Sequence, residues 1–351
     1  TVDTTHYKPS LYLALSAIAV CVASCTSDAP VIPDGEGIEL SFSTAVSSRA
    51  TVTTDINTAG FSFAVYGDMT SAATESTDSK RTVIFNNTKV NYDGSKWSYD
   101  EPRYWLPQRE YSFVAIHPAS VIPVGSSAYS NSTLTFSYTI PTSDGNIINR
   151  DNLADIIAAT HRRRYKDSGT TSASPINLTF FHTMSRINFT VNYEGQPDEI
   201  RITKIELEGV AKTATFSLTP APLTAIGNPT DDYTLTWDGI ADHGTLIAEI
   251  NTDVQNGDTQ PLLPDNDAMF MIPQPQNTDI ILTISFIADE GQGPEEQTLS
   301  AQTSIGGWDA GRAYTYSVGI NLVKEQKDMT IDVIVNDWSE GADTDVSVPR
   351  I

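Results

Sequence analysis

Apolar and polar residues alternate with a period of two, in short runs, along almost the whole chain, and no other feature constrains the fold as strongly. Ile38, Leu40 and Phe42, and after Thr44 also Val46, alternate with Glu39, Ser41, Ser43 and Ala45, as in a strand with one buried face. Comparable runs predict strands at 50–54, 60–66, 82–85, 89–92, 96–99, 111–117, 132–140 and 155–159. After Ser174-Pro175 they resume at 176–181, 186–193, 200–210, 213–218, 233–237 and 245–250. Further runs lie at 268–272, 280–287, 297–301 and 312–322, and the chain closes with 329–336 and 344–348. Turn signals such as Asp93-Gly94, Pro102 and Asp144-Gly145 separate them. Short strands at this spacing predict an all-β chain of sandwich or barrel type rather than alternating helix and strand units. At roughly 150 residues per domain, the length of 351 suggests two domains. The 12 Phe, 14 Tyr and 5 Trp can fill their cores, and with only 19% charged residues the chain is not wholly disordered.

The N-terminus is of another kind. Residues 11–25, LYLALSAIAVCVASC, are apolar apart from small serines, and they contain both cysteines, Cys21 and Cys25. This run is short for a bilayer span, which needs about 20 residues, but suits the apolar part of an export signal. Lys8 is the only basic residue before it. Two readings remain: a buried helix carrying a Cys21–Cys25 pair, or a cleaved lipoprotein signal. The second is favoured, because residues 26–37, TSDAPVIPDGEG, read as a polar linker. Val22-Ala23-Ser24-Cys25 resembles a bacterial lipobox, in which Cys25 is acylated with palmitate-type chains and becomes the first mature residue. Several acyl chains would hold the protein on the outer membrane, where one alone gives only marginal binding.

The charge of -23, from 44 acidic against 21 basic residues, argues against nucleic-acid partners. No GxSxG, HExxH, P-loop, GxGxxG or mature CxxC pattern occurs, so no catalytic, cofactor-binding or metal-binding residues are assigned. None of the five histidines pairs with Cys or another His at ligand spacing. His161 and His243 read as residues of polar connections, and His182 reads as a hydrogen-bonded structural histidine. Acidic loops at Asp231-Asp232, Asp265-Asn266-Asp267 and 289–296 suit either calcium or water, and solvated loops are preferred. The sole basic run, His161-Arg162-Arg163-Arg164-Tyr165-Lys166, is expected to be a solvated turn. Trp97, Tyr99, Tyr104 and Trp105 form either core packing, the favoured reading, or a platform for sugar rings.

Several segments together resemble the fimbrillin family of the Bacteroidota, subunits of proteolytically matured pili. They are 61–66 (FSFAVY), Trp97-Ser98-Tyr99 with Tyr104-Trp105, 111–115 (YSFVA), 181–187 (FHTMSRI), 308–316 (WDAGRAYTY) and 335–338 (VNDW). The resemblance implies two transthyretin-like β-sandwich domains of Greek-key type in tandem, export as an outer-membrane surface lipoprotein, cleavage after an arginine by an Arg-specific surface protease, and polymerisation by strand exchange with other fimbrial subunits. The expected organisation is a signal at 1–24, a linker at 25–37 after lipidated Cys25, a first sandwich at 38–184, a second at 185–327, and C-terminal strands at 328–351.

Two positions support that mechanism on their own. A cut between Arg49 and Ala50 would release both the anchor at Cys25 and the strand carrying Ile38, Leu40, Phe42 and Val46, so 38–49 is read as a removable strand. An incoming strand of equal period would fill the vacancy, and the C-terminal tail offers one in Ile331, Val333 and Val335 followed by Val346 and Val348. That tail can equally complete its own sandwich, and Arg49 can be an ordinary turn residue. The leading expectation is a non-enzymatic fimbrial subunit or fimbria-associated lipoprotein acting in cell adhesion and biofilm formation, with its host or bacterial surface ligand unspecified. The rival is a carbohydrate-binding surface lipoprotein that stays anchored through Cys25.

Overall fold

A computed structural model describes residues 37–46, 56–70, 80–122, 125–165, 174–223, 229–263, 268–275, 278–303, 307–323 and 326–338. Among them the regular elements are strands and two three-residue 3-10 turns, Ala119–Val121 and Arg150–Asn152. The first strands are β1 (Phe42–Val46), β2 (Ser62–Thr70), β3 (Arg81–Tyr92), β4 (Trp97–Ser98) and β5 (Arg109–His117). There follow β6 (Ala128–Ser130), β7 (Thr133–Thr139), β8 (Thr142–Ser143), β9 (Ile147–Ile148), β10 (Ile157–Tyr165) and β11 (Ile176–His182). Beyond them lie β12 (Ser185–Gly195), β13 (Glu199–Pro220), β14 (Tyr233–Gln255), β15 (Thr259–Pro261) and β16 (Met269–Met271). The last are β17 (Ile281–Asp289), β18 (Pro294–Gln302), β19 (Arg312–Val323) and β20 (Gln326–Asp337). The all-β expectation is therefore met.

The strands form three sheets. The first runs β1-β11-β10-β5-β2-β3-β4. The second runs β15-β12-β19-β20, with β16 also on β12, and the third runs β18-β17-β13-β14-β9-β8, with β7 on β13 and β6 on β7. β11 ends at His182, and β12 opens a different sheet at Ser185. The second and third sheets face one another in the alternating manner read from the sequence. Ile187, Phe189 and Val191 of β12, with Tyr314, Tyr316 and Val318 of β19, pack against Ile200, Ile202 and Ile205 of β13 and Leu282, Ile284 and Phe286 of β17.

The central strands of the first sheet are buried on both faces. Ala64 and Tyr66 of β2, Val114 and Ile116 of β5, and Ala158 of β10 face Leu134, Phe136, Phe216 and Leu218. Phe63, Val65, Phe113, Ala115, Ile157 and Ala159 face the opposite way into a second core. This explains why 61–66 and 111–117 are nearly continuous apolar runs: a strand covered on both sides has no solvent face to alternate with. The second core is enclosed because the sheet curls until its two edge strands, β1 and β4, come together.

Three expectations are corrected. The runs 200–210 and 213–218 are one strand, β13, and 233–237 and 245–250 are one strand, β14. β13 bends at register shifts between Ile202 and Thr215, with Gly209 at φ 82° in the left-handed region that glycine adopts readily, and its pairing with β14 continues past each shift. Its first part pairs with β17 and its last part with β7, so one hairpin serves both halves of the chain. The basic run at 161–165 is no solvated turn but the C-terminal half of β10. Arg162 donates to Ser112 Oγ (2.6 Å) and Ser132 Oγ (2.9 Å), and the Arg163 guanidinium lies 4.3 Å from the centre of the Trp105 ring. His161 is likewise buried in β10, 2.7 Å from Asp231, and His243 lies in β14.

Candidate functional site

The segment carrying Ile38, Leu40, Phe42 and Val46 forms the seam along which the first sheet nearly closes on itself. Ahead of β1 it runs against 103–105. Leu40 N–H donates to the Arg103 carbonyl (2.8 Å), Trp105 N–H donates to the Ile38 carbonyl (2.9 Å), and Glu39 bridges Tyr104 in antiparallel fashion. The chain then becomes β1 and pairs in parallel with β11, Phe42 opposite Ile176 and Val46 opposite Phe180. Ile176 N–H donates to the Ser41 carbonyl (2.7 Å), which sets the polarity of the strand. Ser41 and Ser43 turn their backbone groups to β11, while Leu40, Phe42 and Thr44 turn theirs toward β4. On that side the Tyr99 hydroxyl donates to the Leu40 carbonyl at 2.7 Å.

Alternation sends Leu40 and Phe42 inward. Leu40 is fully buried and Phe42 is 6% exposed, while Ile38 packs on the rim of the same core. The Phe42 ring sits edge-on among four others, with centroids 5.7 Å from Phe85 and Tyr99, 6.0 Å from Phe63 and 6.2 Å from Phe113. Burial of Leu40 and Phe42 stabilises the seam by about 1.5–3 kcal/mol each, and edge-to-face ring pairs contribute about 0.5–1.5 kcal/mol apiece beyond area. Burial also pushes the Tyr99 hydroxyl up to about 12, keeping it a neutral donor for Leu40. Beyond Phe42, β1 is held by polar contacts, Thr44 Oγ1 donating to Asn57 Oδ1 (2.9 Å) and Ser43 Oγ to Asn177 Oδ1 (3.4 Å).

Where β1 and β4 draw apart, a cleft of about 630 Å³ opens between them. Glu39, Ser43 and Thr44 line it on one side, Trp97, Ser98 and Tyr99 on the other, and Asn57, Tyr92 and Lys96 complete the lining. The aromatic segment at 97–105 thus divides. Trp105 is 3% exposed and stacks on Tyr165, Tyr99 packs against Phe42 and Phe85, and Tyr104 is exposed. Trp97 is half-buried, at 5.0 Å from Phe63 and 4.9 Å from Tyr92. Trp105 is therefore no part of an exposed platform.

At the other end of the chain, Ile331, Val333 and Val335 lie in β20, which pairs with β19 from Arg312–Asp337 to Val323–Gln326. Their side chains pack on the large core, and β20 forms an edge of the second sheet. The strand ends at buried Trp338, whose indole stacks between His182 (3.7 Å) and Phe270 (5.4 Å). His182 is 2.8 Å from the Asp155 carboxylate. Cys25, Arg49, Ala50, Val346 and Val348 lie outside the described residues, as does the side chain of Val46.

Two other polar clusters brace the fold. Asp68, fully buried on β2, accepts from Arg81 Nε (2.7 Å), from Ser132 N–H (2.8 Å) and from Ser132 Oγ (3.1 Å), and Arg81 also meets Glu110 at 3.2 Å. Burial, then the neighbouring Arg81, lowers the Arg162 pKa beside this cluster. The second is the His161–Asp231 pair, joined by Thr160 Oγ1 donating to the Asp231 carbonyl at 2.8 Å. Asp289 caps its own turn by accepting from Gly291 and Gly293, and no group of three or more His, Cys, Asp or Glu suited to a metal occurs among the described residues. The closure of the seam by Tyr99 and Arg103–Trp105 was not legible beforehand, because nothing local marks contacts made some 60 residues apart in sequence.

A family model described as fimbrillin-like matches residues 48–338. Among solved structures, a fimbrial protein from Bacteroides vulgatus is similar with a TM-score of 0.58 and 14% identity, over 86% of this chain and 99% of that one. A candidate cell adhesion protein from Bacteroides ovatus aligns at a TM-score of 0.46 and 13% identity, over 87% of this chain and 99% of that one. At such identities the likeness is one of fold, and it rests on the Bacteroides vulgatus structure. No curated protein matches the chain.

Proposed function

The chain belongs to the fimbrillin-like family, and from that membership we propose that it is a non-enzymatic fimbrial subunit or fimbria-associated surface lipoprotein, assembled by protease-triggered β-strand exchange and contributing to cell adhesion and biofilm formation. The observation that carries the reading is the seat of β1. Its segment is short, lies at a sheet edge, and owes most of its hold to Leu40 and Phe42 in the aromatic cage. Such a segment can leave without unthreading the sheet, and its departure would bare both the cage and the outer edge of β11.

In this reading Cys25 is the temporary lipid anchor at the outer membrane and Arg49-Ala50 the cut made by an Arg-specific surface protease, three residues past Val46. The vacancy then takes a strand from another subunit. In sequence Val346 and Val348 follow the Trp338 anchor and are the donor in this reading, whereas Ile331, Val333 and Val335 would have to leave β19. The reading fits a fimbrium as the final location.

The test is treatment of the purified precursor with an Arg-specific protease, with N-terminal sequencing and light scattering. A new N-terminus at Ala50 together with oligomers, both lost in Arg49→Ala, is the expected result. Clean trimming at Ala50 with the protein still monomeric at concentrations where exchange should run overturns the polymerising mechanism.

A further inference from the structure

Strand exchange leaves the cleft between β1 and β4 unexplained. It is blind at one end, where the bonds from Leu40 to Arg103 and from Trp105 to Ile38 tie the seam shut, so an extended chain cannot run along it. At its open end β1 turns the backbone of Phe42, Thr44 and Val46 toward the cleft, but the opposing edge, β4, has only two residues. That edge is shorter than an ordinary strand of five or six residues, so strand addition would gain little there. The shape suits a compact occupant, and about 630 Å³ lies within the roughly 300–1,000 Å³ usual for small-molecule sites.

The chemistry of the walls narrows the class. Trp97 and Tyr92 are half-buried, their rings 4.9 Å apart and tilted by 38°. Trp97 is fixed from beneath by Phe61 at 89° and by Phe63. A rigid aromatic surface in an otherwise polar cleft offers an apolar face that loses little freedom on binding. The lining also carries Ser98, and Thr44 and Asn57, whose side chains are bonded to each other at 2.9 Å; such hydroxyl and amide groups both donate and accept. A pyranose ring has this same division, one face of C–H groups and a rim of hydroxyls. Lys96 and Glu39, both in the lining, cancel in charge, and the chain's -23 disfavours an anionic glycan.

We propose that the β1–β4 cleft is a binding site for a short neutral oligosaccharide, with Trp97 and Tyr92 as its stacking surface. Because β1 is one wall, the site exists only while that edge is occupied, and loss of the strand would abolish it. The proposal does not depend on cleavage or polymerisation. The full chain is screened on a glycan array, and positives are titrated by calorimetry and tryptophan fluorescence, with maltotriose, xylotriose and N,N′-diacetylchitobiose as neutral probes. Binding of at least one neutral glycan is expected. Ser98→Arg, an exposed wall position outside the cores, should weaken it about tenfold or more with an unchanged melting temperature, and Trp97→Phe should remove most of the fluorescence response. No neutral glycan bound at roughly millimolar concentration overturns the proposal. So does binding indifferent to Ser98→Arg, or occupation of the cleft by a peptide of sequence 38–46 in place of sugar.

Discussion

A chain beginning at Ala50 should bind the peptide of residues 38–46, IELSFSTAV, added in trans, and the affinity should reside in one ring. Leu40 and Phe42 together regain about 3–6 kcal/mol of burial. The ladder to β11 adds roughly 1 kcal/mol net per hydrogen bond, and several kcal/mol are lost in immobilising the peptide. The balance corresponds to a Kd between roughly one and a few hundred micromolar. Replacing Phe42 by alanine empties a cage with four aromatic neighbours within 6.2 Å and costs about 3 kcal/mol or more, which is ~100-fold in affinity. Ser43→Ala removes only a 3.4 Å contact to Asn177 and should leave binding within about threefold. Fluorescence anisotropy with a labelled peptide gives all three constants. If the Phe42→Ala peptide binds within threefold of the parent, or Ser43→Ala loses as much as Phe42→Ala, the cage is not what holds β1 and the argument for exchange at this edge fails.

Removing Asp68 by mutation to alanine takes from Arg81 its shorter carboxylate contact, leaving Glu110, and takes from both donors of Ser132 their buried acceptor, and should cost about 3 kcal/mol in denaturant unfolding. Gly67→Ala would place a Cβ 2.9 Å from the Phe113 ring and 3.2 Å from Phe85, an overpacking worth about 1–3 kcal/mol by calorimetry. Tyr99 ionises near 10 when unfolded but at about 12 in the fold. Its contribution is therefore whole below pH 10 and disappears as the pH rises through 12, so alkaline unfolding in that window should be shallower in Tyr99→Phe than in the parent chain. Trp338→Ala empties the slot between His182 and Phe270 and should cost about 3–5 kcal/mol, with faster hydrogen exchange in β20 as the local signature.

Much of the fold was legible because the period of a strand is a local property. β2, β5, β11, β12, β17, β19 and β20 fall close to the alternating or apolar runs that announced them. What misled was local polarity. Arg162 and Arg163 look like a solvated turn until β5 and the turn before β7 bring Ser112, Glu110 and Ser132 to one guanidinium, and Trp105 comes under the other. The bend at Gly209 looks like the end of a strand because the sequence records the irregularity but not β14 alongside, whose pairing carries the strand through. The aromatics at 97–105 were visible as a group, yet which one lines a cleft and which fills a core depends on where the curled sheet puts its edges.

The sequence by itself determined that residues 38–42 are extended and that Leu40 and Phe42 share a face, since alternation in a strand follows from backbone geometry alone. Tertiary structure decided that this face meets the rings of Phe63, Phe85, Tyr99 and Phe113, that the strand runs parallel to β11, and that its other edge stops short of β4. Those facts depend on the twist and curl accumulated across seven strands. A curvature summed over partners so distant in the chain is written in no single one of them.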